Sequence, residues 1–155
     1  KGVFPSLTIE QNLGVSARLN GGTKAESDGR VHDMLELFPE LDERKQQAAR
    51  SLSGGQQQML ALARVLMHDP EILLIDELSL GLAPVVVQRM LELIDELKAR
   101  GQTILVVEQS LNVALAIADR AIFLEKGEVR FEGPAQELLE RDDLARAVFF
   151  GTEGG

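Results

Sequence analysis

The sequence predicts an α/β protein with a mostly parallel sheet and a separate helical lobe, and three observations lead to this prediction. The chain has 155 residues, enough for one domain that buries its own core. After a helix that begins near residue 53, the hydrophobic pattern runs strand, helix, strand, helix, strand, the order typical of a parallel sheet covered by helices. The first third of the chain has helical spacing, so we assign it to the lobe.

Two helices separated by a loop are predicted in the lobe. Thr8, with Gln11 three residues later, forms the pattern of a capping box, which begins the first helix. Residues 20–29 are polar and rich in glycine, which indicates a loop. Helical spacing resumes over residues 31–38 and stops at a proline, and the charged residues 39–51 are predicted to be exposed.

Changes of hydrophobic period define the remaining elements. Ile72–Ile75 is a continuous apolar run, which predicts a strand buried on both faces of a parallel sheet. A helix is predicted over 84–100, with proline in its first turn and Gly101 beyond its end, followed by a second buried strand over 103–107. The last predicted elements are a short helix over 111–118, a hairpin of residues 121–124 and 128–131 around Lys126-Gly127, and terminal helices over 134–150.

Composition excludes several classes of function. The chain has no cysteine and two histidines far apart, so we expect no disulfide, thiol catalyst or zinc site. A net charge of −9 argues against binding the phosphate backbone of nucleic acid. No stretch reaches the roughly 18 apolar residues of a membrane span. The chain opens without a signal peptide or an initiator methionine, so we expect that residue 1 is not the natural start.

The first candidate site is Ser53-Gly54-Gly55-Gln56, at the start of a predicted helix. Ser53 stands where a helix N-cap belongs, and two glycines weaken the helix unless something must approach the backbone closely. Bare N–H groups at a helix start, with a hydroxyl beside them, can bind an anion. An ordinary serine cap after a flexible loop explains the same residues, so this motif alone leaves both interpretations open.

The second candidate site is Asp76-Glu77, directly after the first predicted strand. Ligands of open α/β sheets bind at the carboxyl ends of the strands. In that place the first carboxylate suits Mg²⁺, and the second suits general-base or water-positioning work. The alternative is an acidic pair at a helix N-terminus, which is also common.

Taken together, the motifs resemble those of the ATP-binding-cassette (ABC) ATPases. The segments that match the family's signature motif, Walker B strand, D-loop and switch loop are, in that order, residues 52–56, 72–77, 79–83 and 107–109. Two of them, extended to residues 79–84 and 107–110, are similar to the ATPase subunits of branched-chain amino-acid importers. The resemblance implies a three-layer P-loop NTPase-like fold, with a helical subdomain in residues 1–52 and the ATPase core in residues 53–155.

The resemblance also implies roles for individual residues. The site residues are catalytic Glu77 and Gln109, nucleotide-binding Ser53, Gly54, Gly55 and Gln56, and the Mg²⁺ ligand Asp76. Asp76 would hold Mg²⁺ through water, Glu77 would orient or deprotonate the attacking water, and Gln109 would sense the γ-phosphate of ATP. The signature residues would contact ATP held by a second ABC ATPase subunit, identical or related. Other partners would be membrane permease subunits and, indirectly, a solute-binding protein, at the cytoplasmic face of the inner membrane.

Four departures from the family pattern affect these expectations. Leu78 replaces the usual proline after the catalytic glutamate, and we expect proline to be tolerated there. Ala83 replaces the D-loop aspartate, and Gln109 replaces a histidine, so that position cannot carry a titrating proton. No Gly-x-x-x-x-Gly-Lys-Ser/Thr occurs, so the resemblance predicts an N-terminally truncated nucleotide-binding domain, inactive alone.

Three functions therefore compete. The first is an ATPase subunit of an importer that couples hydrolysis to transport of a solute such as a branched-chain amino acid. The second is a soluble ABC ATPase of DNA repair or translation, which the acidic charge argues against. The third is a non-catalytic truncated module that binds partners alone, which the missing phosphate loop leaves open.

Overall fold

The structure is a computed structural model that describes residues 2–140, apart from the side chain of Leu139. Its helices are α1 (Ile9–Leu19), α2 (Lys24–Leu37), α3 (Pro39–Asp42), α4 (Gly54–Leu66), α5 (Pro84–Ala99), α6 (Leu111–Ile117) and α7 (Ala135–Glu140). Its strands are β1 (Ile72–Asp76), β2 (Thr103–Val107), β3 (Arg120–Glu125) and β4 (Glu128–Pro134). The terminal helices predicted up to residue 150 therefore lie partly outside the described residues. No helix between residues 2 and 140 is both long and apolar enough to cross a bilayer.

The chain divides into two compact units. Among the described residues, the first contains those up to Leu73 together with Gly81–Met90, and the second contains Leu74–Leu80 together with those from Leu91 to Glu140. The first unit is mainly helical, and the second carries the residues that follow β1 and β2. The division expected between residues 52 and 53 concerns the family's subdomains and stays a prediction.

Helix α1 begins as its sequence predicts. The Gln11 N–H donates to Thr8 Oγ1 (3.1 Å), and the Thr8 N–H donates to Gln11 Oε1 (2.9 Å), which completes the capping box. Ile9, Leu13 and Ala17 follow at intervals of four residues and are fully buried. This apolar face explains why α1 contacts both α2 and α4 in the first unit.

The loop predicted over residues 20–29 is wrong for its second half, because α2 already begins at Lys24. Gly21 and Gly22 make the turn with positive φ angles, 74° and 96°. Thr23 then caps the helix, and the Thr23 N–H donates to Glu26 Oε2 (2.6 Å). The signal for a helix start was thus present, but the glycine-rich composition around it pointed to a loop.

The expectation that residues 39–51 are exposed is also wrong in part. Leu41 in α3 and Ala49 in a 3₁₀ turn (Ala49–Ser51) are fully buried, while most of the charged residues around them are exposed. The Ala49 N–H donates to the Leu7 carbonyl (2.9 Å), which ties this segment to the start of the chain. A single apolar residue per short turn is too weak a pattern to predict burial from sequence.

Strands β1 and β2 are confirmed and form a two-stranded sheet. Burial on both faces is wrong for the described residues: Leu73 is 2% exposed, whereas Leu74 is 70% exposed, and Leu105 and Val107 in β2 are 53% and 55% exposed. Because side chains alternate along a strand, these numbers mean that the described residues cover one face.

Two predicted chain reversals are confirmed by their backbone angles. Gly101 ends α5 with φ +86°, and its N–H donates to the Lys98 carbonyl (2.8 Å). Lys126 and Gly127 have φ angles of +50° and +83° between the antiparallel strands β3 and β4. Positive φ at both positions is the requirement of a two-residue type I′ hairpin turn.

Candidate functional site

The signature residues form the N-terminus of α4. The Gln56 N–H donates to Ser53 Oγ (3.3 Å), and the Ser53 N–H donates to Gln56 Oε1 (3.0 Å), so the two residues form a capping box. Ser53 is therefore a helix cap, as one interpretation of the sequence held. The side-chain carbonyl of Gln56 is already engaged with the backbone, whereas the first-turn N–H groups have no acceptor within the helix itself.

The two glycines of the motif lie in different surroundings. A Cβ atom at Gly55 would lie 2.5 Å from Cγ1 of Val86, so close packing requires glycine there. A Cβ atom at Gly54 would meet no heavy atom within 4 Å. Packing in the chain therefore explains Gly55, whereas the absence of a side chain at Gly54 fits a molecule that approaches from outside.

The acidic pair lies at the carboxyl end of β1. Asp76 is the last residue of the strand and is exposed, and Glu77 follows it, half-buried. The Glu77 N–H donates to the Val107 carbonyl at the end of β2 (2.8 Å). The alternative of an acidic pair at a helix N-terminus is wrong, because the next helix begins at Pro84.

Glu77 has an unusual backbone. Its φ angle is +54°, in the left-handed region that residues other than glycine rarely adopt. Such backbone strain is concentrated at functional sites, where the surrounding structure holds it in place. For Glu77, the hydrogen bond to the end of β2 supplies part of that support.

Gln109 reaches the Glu77 side chain. Its Nε2 donates a 2.9 Å hydrogen bond to Glu77 Oε1. The structure therefore brings together the two residues that the resemblance implied to be catalytic, and both belong to the second compact unit. Neither residue lies within an element: each follows the end of a strand, where neighbouring strands present their ends at one edge.

The sequence alone assigns no role to Glu108, whose side chain joins the two loops of the candidate site. Its carboxylate accepts hydrogen bonds from the Ser79 N–H (3.0 Å), the Ser79 hydroxyl (2.9 Å) and the N–H groups of Gln109 and Ser110 (3.0 Å each). Burial alone raises the pKa of Glu108, but the hydrogen bonds from Ser110, Ser79 and Gln109 outweigh it and lower this pKa below its usual value of 4.5. The available signal was a charged residue between an apolar strand and the expected switch residue.

The residues present suit Mg²⁺ only together with a nucleotide. Across residues 2–140, no group of three or more histidine, cysteine, aspartate or glutamate side chains could hold a metal ion. Mg²⁺ is usually bound by one or two carboxylates, waters and the phosphates of the substrate. Asp76, exposed at the end of β1, is a donor of this kind.

Comparison with known proteins identifies relatives across most of the chain. It is 43% identical to the high-affinity branched-chain amino acid transport ATP-binding protein BraG of Pseudomonas aeruginosa, over 96% of this chain and 63% of the relative. It is 41% identical to the probable branched-chain amino acid transport ATP-binding protein LivF of Archaeoglobus fulgidus, over 93% and 61%. The chain thus spans about three fifths of the length of these curated relatives.

Solved structures confirm the fold. The protein cbiO1 of Clostridium perfringens, described as part of the ABC transporter complex cbiONQ, matches 94% of this chain and 58% of its own, with TM-score 0.82 and 25% identity. A dimeric ATP-binding cassette in a post-hydrolysis state bound to ADP and Pi matches 86% of this chain and 59% of its own, with TM-score 0.72 and 28% identity. The P-loop NTPase-like fold class is therefore confirmed.

A family model confirms this assignment. The model described as "ABC transporter" matches residues 1–79, which include the signature helix and the acidic pair after β1. The chain therefore belongs to the ABC transporter family.

Proposed function

We propose that this chain is part of the ATP-hydrolysing subunit of an importer for branched-chain amino acids. The relatives that are 43% and 41% identical carry this transport role in their names, which supports the choice of solute. The observation that carries the catalytic part is the 2.9 Å hydrogen bond from Gln109 Nε2 to Glu77 Oε1. It joins an acceptor and a donor side chain at neighbouring strand ends, where ligands of α/β sheets bind.

Glu77 supplies the acceptor for the attacking water. One of its carboxylate oxygens accepts from Gln109, and the carboxylate has further lone pairs that can accept from a water molecule. Glu77 would hold this water in line with the γ-phosphorus and accept its proton as the new P–O bond forms. The hydrogen bond from Gln109 holds the Glu77 side chain in place before the substrate binds.

Gln109 and Asp76 would contact the charged part of the substrate. The Gln109 amide has two N–H donors, so one can hold Glu77 while the other donates to a γ-phosphate oxygen. Asp76 would hold Mg²⁺ through a water molecule. When bound, Mg²⁺ neutralises charge on the phosphates.

The signature residues would complete the site of a second subunit. Ser53, Gly54 and Gly55 would face the γ-phosphate of ATP bound to that subunit, with Gln56 holding the helix start in shape. The open space beside Gly54 supports this role. Two subunits, identical or related, would close around two ATP molecules and drive a membrane permease that receives its solute from a binding protein. The subunit would lie peripherally at the cytoplasmic face of the membrane, with residues 5–50 of the helical lobe nearest the permease and residues 53–155 in the ATPase core.

The proposal is tested with Glu77→Gln in the full-length protein that contains these residues. This change keeps the shape of the side chain and removes its charge, so we expect ATP binding to persist while kcat falls by about 100-fold or more. Glu43→Gln makes the same chemical change at an exposed position of the first unit and is expected to leave kcat unchanged. Near-normal turnover of Glu77→Gln would refute the role of Glu77, and no turnover of the unchanged protein would favour a non-catalytic module.

The solute is tested in membranes that contain the permease and the binding protein. We expect leucine, isoleucine or valine to stimulate ATP turnover, and phosphate or methionine to leave it unchanged. Stimulation by another solute class would keep the ATPase and reject the proposed substrate.

A further inference from the structure

The Glu108 carboxylate links two loops that both border the candidate site. One loop follows β1 and contains Ser79, two residues after Glu77. The other follows β2 and contains Gln109. Ser79 donates both its N–H and its hydroxyl to this carboxylate, and Gln109 donates its backbone N–H. The side chain of Glu108 therefore holds the backbone on each side of the Glu77–Gln109 hydrogen bond.

The arrangement of donors excludes two other roles for Glu108. Three hydrogen bonds, from the Ser79 hydroxyl and the N–H groups of Gln109 and Ser110, converge on Oε1. The Ser79 N–H occupies Oε2. A carboxylate with this number of donors has little capacity left to accept a proton from water or to bind Mg²⁺ directly.

We infer that Glu108 is a positioning residue that fastens the loop after β1 to the loop after β2, and so keeps the Gln109 amide against Glu77. The inference rests on the proposed ATP hydrolysis at Glu77. A hydrogen bond holds the backbone N–H of Gln109. Only the side-chain torsions of Gln109 can then move its amide away from Glu77. The carboxylate acts through Gln109 and does not touch the substrate.

The main variant is Glu108→Gln in the full-length protein. An amide retains one acceptor oxygen and places an NH₂ donor opposite N–H or hydroxyl donors. At least one of the four hydrogen bonds to residue 108 must therefore break. A displacement of about 1 Å in a catalytic group can lower a rate by about 100-fold. We therefore expect kcat to fall by up to about 100-fold. The Kd for ATP should change much less than kcat, because Gln109 is the one residue proposed to contact the nucleotide that this variant displaces.

A double-mutant cycle separates positioning from general stability. If Glu108 acts through Gln109, Glu108→Gln should lower kcat strongly in the unchanged protein and hardly at all in a Gln109→Ala background. A residue that supports the fold alone would give the same fold-loss in both backgrounds. Equal losses, or unchanged kcat in Glu108→Gln, would overturn the inference.

If Glu108→Gln does not fold, a milder variant tests whether Glu108 positions Gln109. Ser79→Ala removes one of the four donors and keeps the Ser79 N–H, so we expect a several-fold fall in kcat that also disappears with Gln109→Ala. Circular dichroism and thermal melting establish folding for each variant. Glu77→Gln is measured in parallel. If Glu77→Gln retains turnover, the proposed function fails. If Glu77→Gln is inactive and Ser79→Ala is fully active, the positioning role of Glu108 is overturned.

Discussion

Gly55 in the first turn of α4 packs against Val86 in the first turn of α5, with no room for a side chain between them. A Cβ atom at Gly55 would come within 2.5 Å of Val86 Cγ1 and 3.2 Å of Cγ2. The neighbouring Gly54 meets no such neighbour and is exposed. Two adjacent glycines in one motif therefore lie in different environments, and a matched pair of substitutions distinguishes them.

We expect Gly55→Ala to lower the free energy of unfolding by about 1–3 kcal/mol, the usual cost of overpacking. Val86→Ala should restore part of this loss, because it removes both crowded methyl groups. Gly54→Ala should change the free energy of unfolding by no more than about 1 kcal/mol in the stabilising direction, since alanine favours helix and finds open space.

Urea denaturation of all four variants, the double mutant included, measures these differences. In the full-length protein, Gly54→Ala should nevertheless lower ATP turnover, because the new methyl group stands where the γ-phosphate is proposed to approach. Unchanged turnover of Gly54→Ala would argue that the signature motif here is a helix cap and nothing more.

Local signals accounted for much of the fold. The Thr8 capping box and the turn at Lys126-Gly127 depend on residues within four positions of each other, so the sequence alone predicts them. The same type of signal at Thr23 was outweighed by the glycines around it. Burial of β1 was overestimated because a continuous apolar run does not reveal whether both faces are covered.

The contacts that organise the site are not local. Ser79 and Glu108 are 29 positions apart, and no period or spacing predicts that they meet. The Glu77–Gln109 pair spans 32 positions, and its members were selected by their place at strand ends and by resemblance to a family. Close packing at Gly55 depends on Val86 in another helix, so the sequence alone does not predict this reason for glycine.

Leu78 follows Glu77 and is fully buried, which changes the expected effect of proline at this position. The sequence alone predicts that Leu78→Pro is neutral or mildly stabilising. Because the leucine side chain is fully buried, we expect Leu78→Pro to destabilise the protein by about 2 kcal/mol or more, as buried leucine truncations do. Leu78→Met, which nearly conserves volume, should cost less than about 1.5 kcal/mol.

Thermal and urea unfolding of Leu78→Pro and Leu78→Met provide the measurement. A melting temperature of Leu78→Pro equal to that of the parent would mean that the burial of Leu78 contributes little, and that proline fits this backbone as it does elsewhere in the family.

Glu108 should also contribute a pH-dependent part of the stability. Its pKa is lowered in the folded protein, so the ionised carboxylate stabilises the fold fully above the unfolded pKa, near 4.5, and this contribution is lost as the pH falls through the lower folded pKa. The groups that donate to it are the Ser79 hydroxyl and the backbone N–H groups of Ser79, Gln109 and Ser110, none of which titrates in this range.

We expect Glu108→Gln to reduce the free energy of unfolding by about 1–3 kcal/mol at pH 7, since it disrupts hydrogen bonds to a charged group. The difference from the parent should be constant between pH 6 and pH 8 and should shrink below about pH 4.5. Urea denaturation at a series of pH values measures it. A difference that grows on acidification would show that the carboxylate is destabilising when ionised, contrary to its contacts.

The exposed face of the β1–β2 sheet predicts how the 155-residue chain behaves alone. Leu74, Leu105 and Val107 are each more than half exposed and alternate with covered residues along their strands. A flat apolar strand surface of this kind promotes association between copies. We therefore expect the 155 residues to self-associate at micromolar concentration, and Leu74→Ser with Leu105→Ser to reduce this association.

Leu19 provides the control, because it is 73% exposed at the end of α1 and does not belong to the sheet. Leu19→Ser removes about as much exposed apolar area as Leu74→Ser alone, so these two single variants are also compared, and an effect of surface hydrophobicity in general would appear in both. Sedimentation velocity over a concentration series distinguishes the cases. If Leu19→Ser lowers the average mass as much as the sheet variant does, the strand face is not the surface that associates. If only the sheet variant stays monomeric, the association runs through β1 and β2, the two strands whose ends carry Glu77 and Gln109.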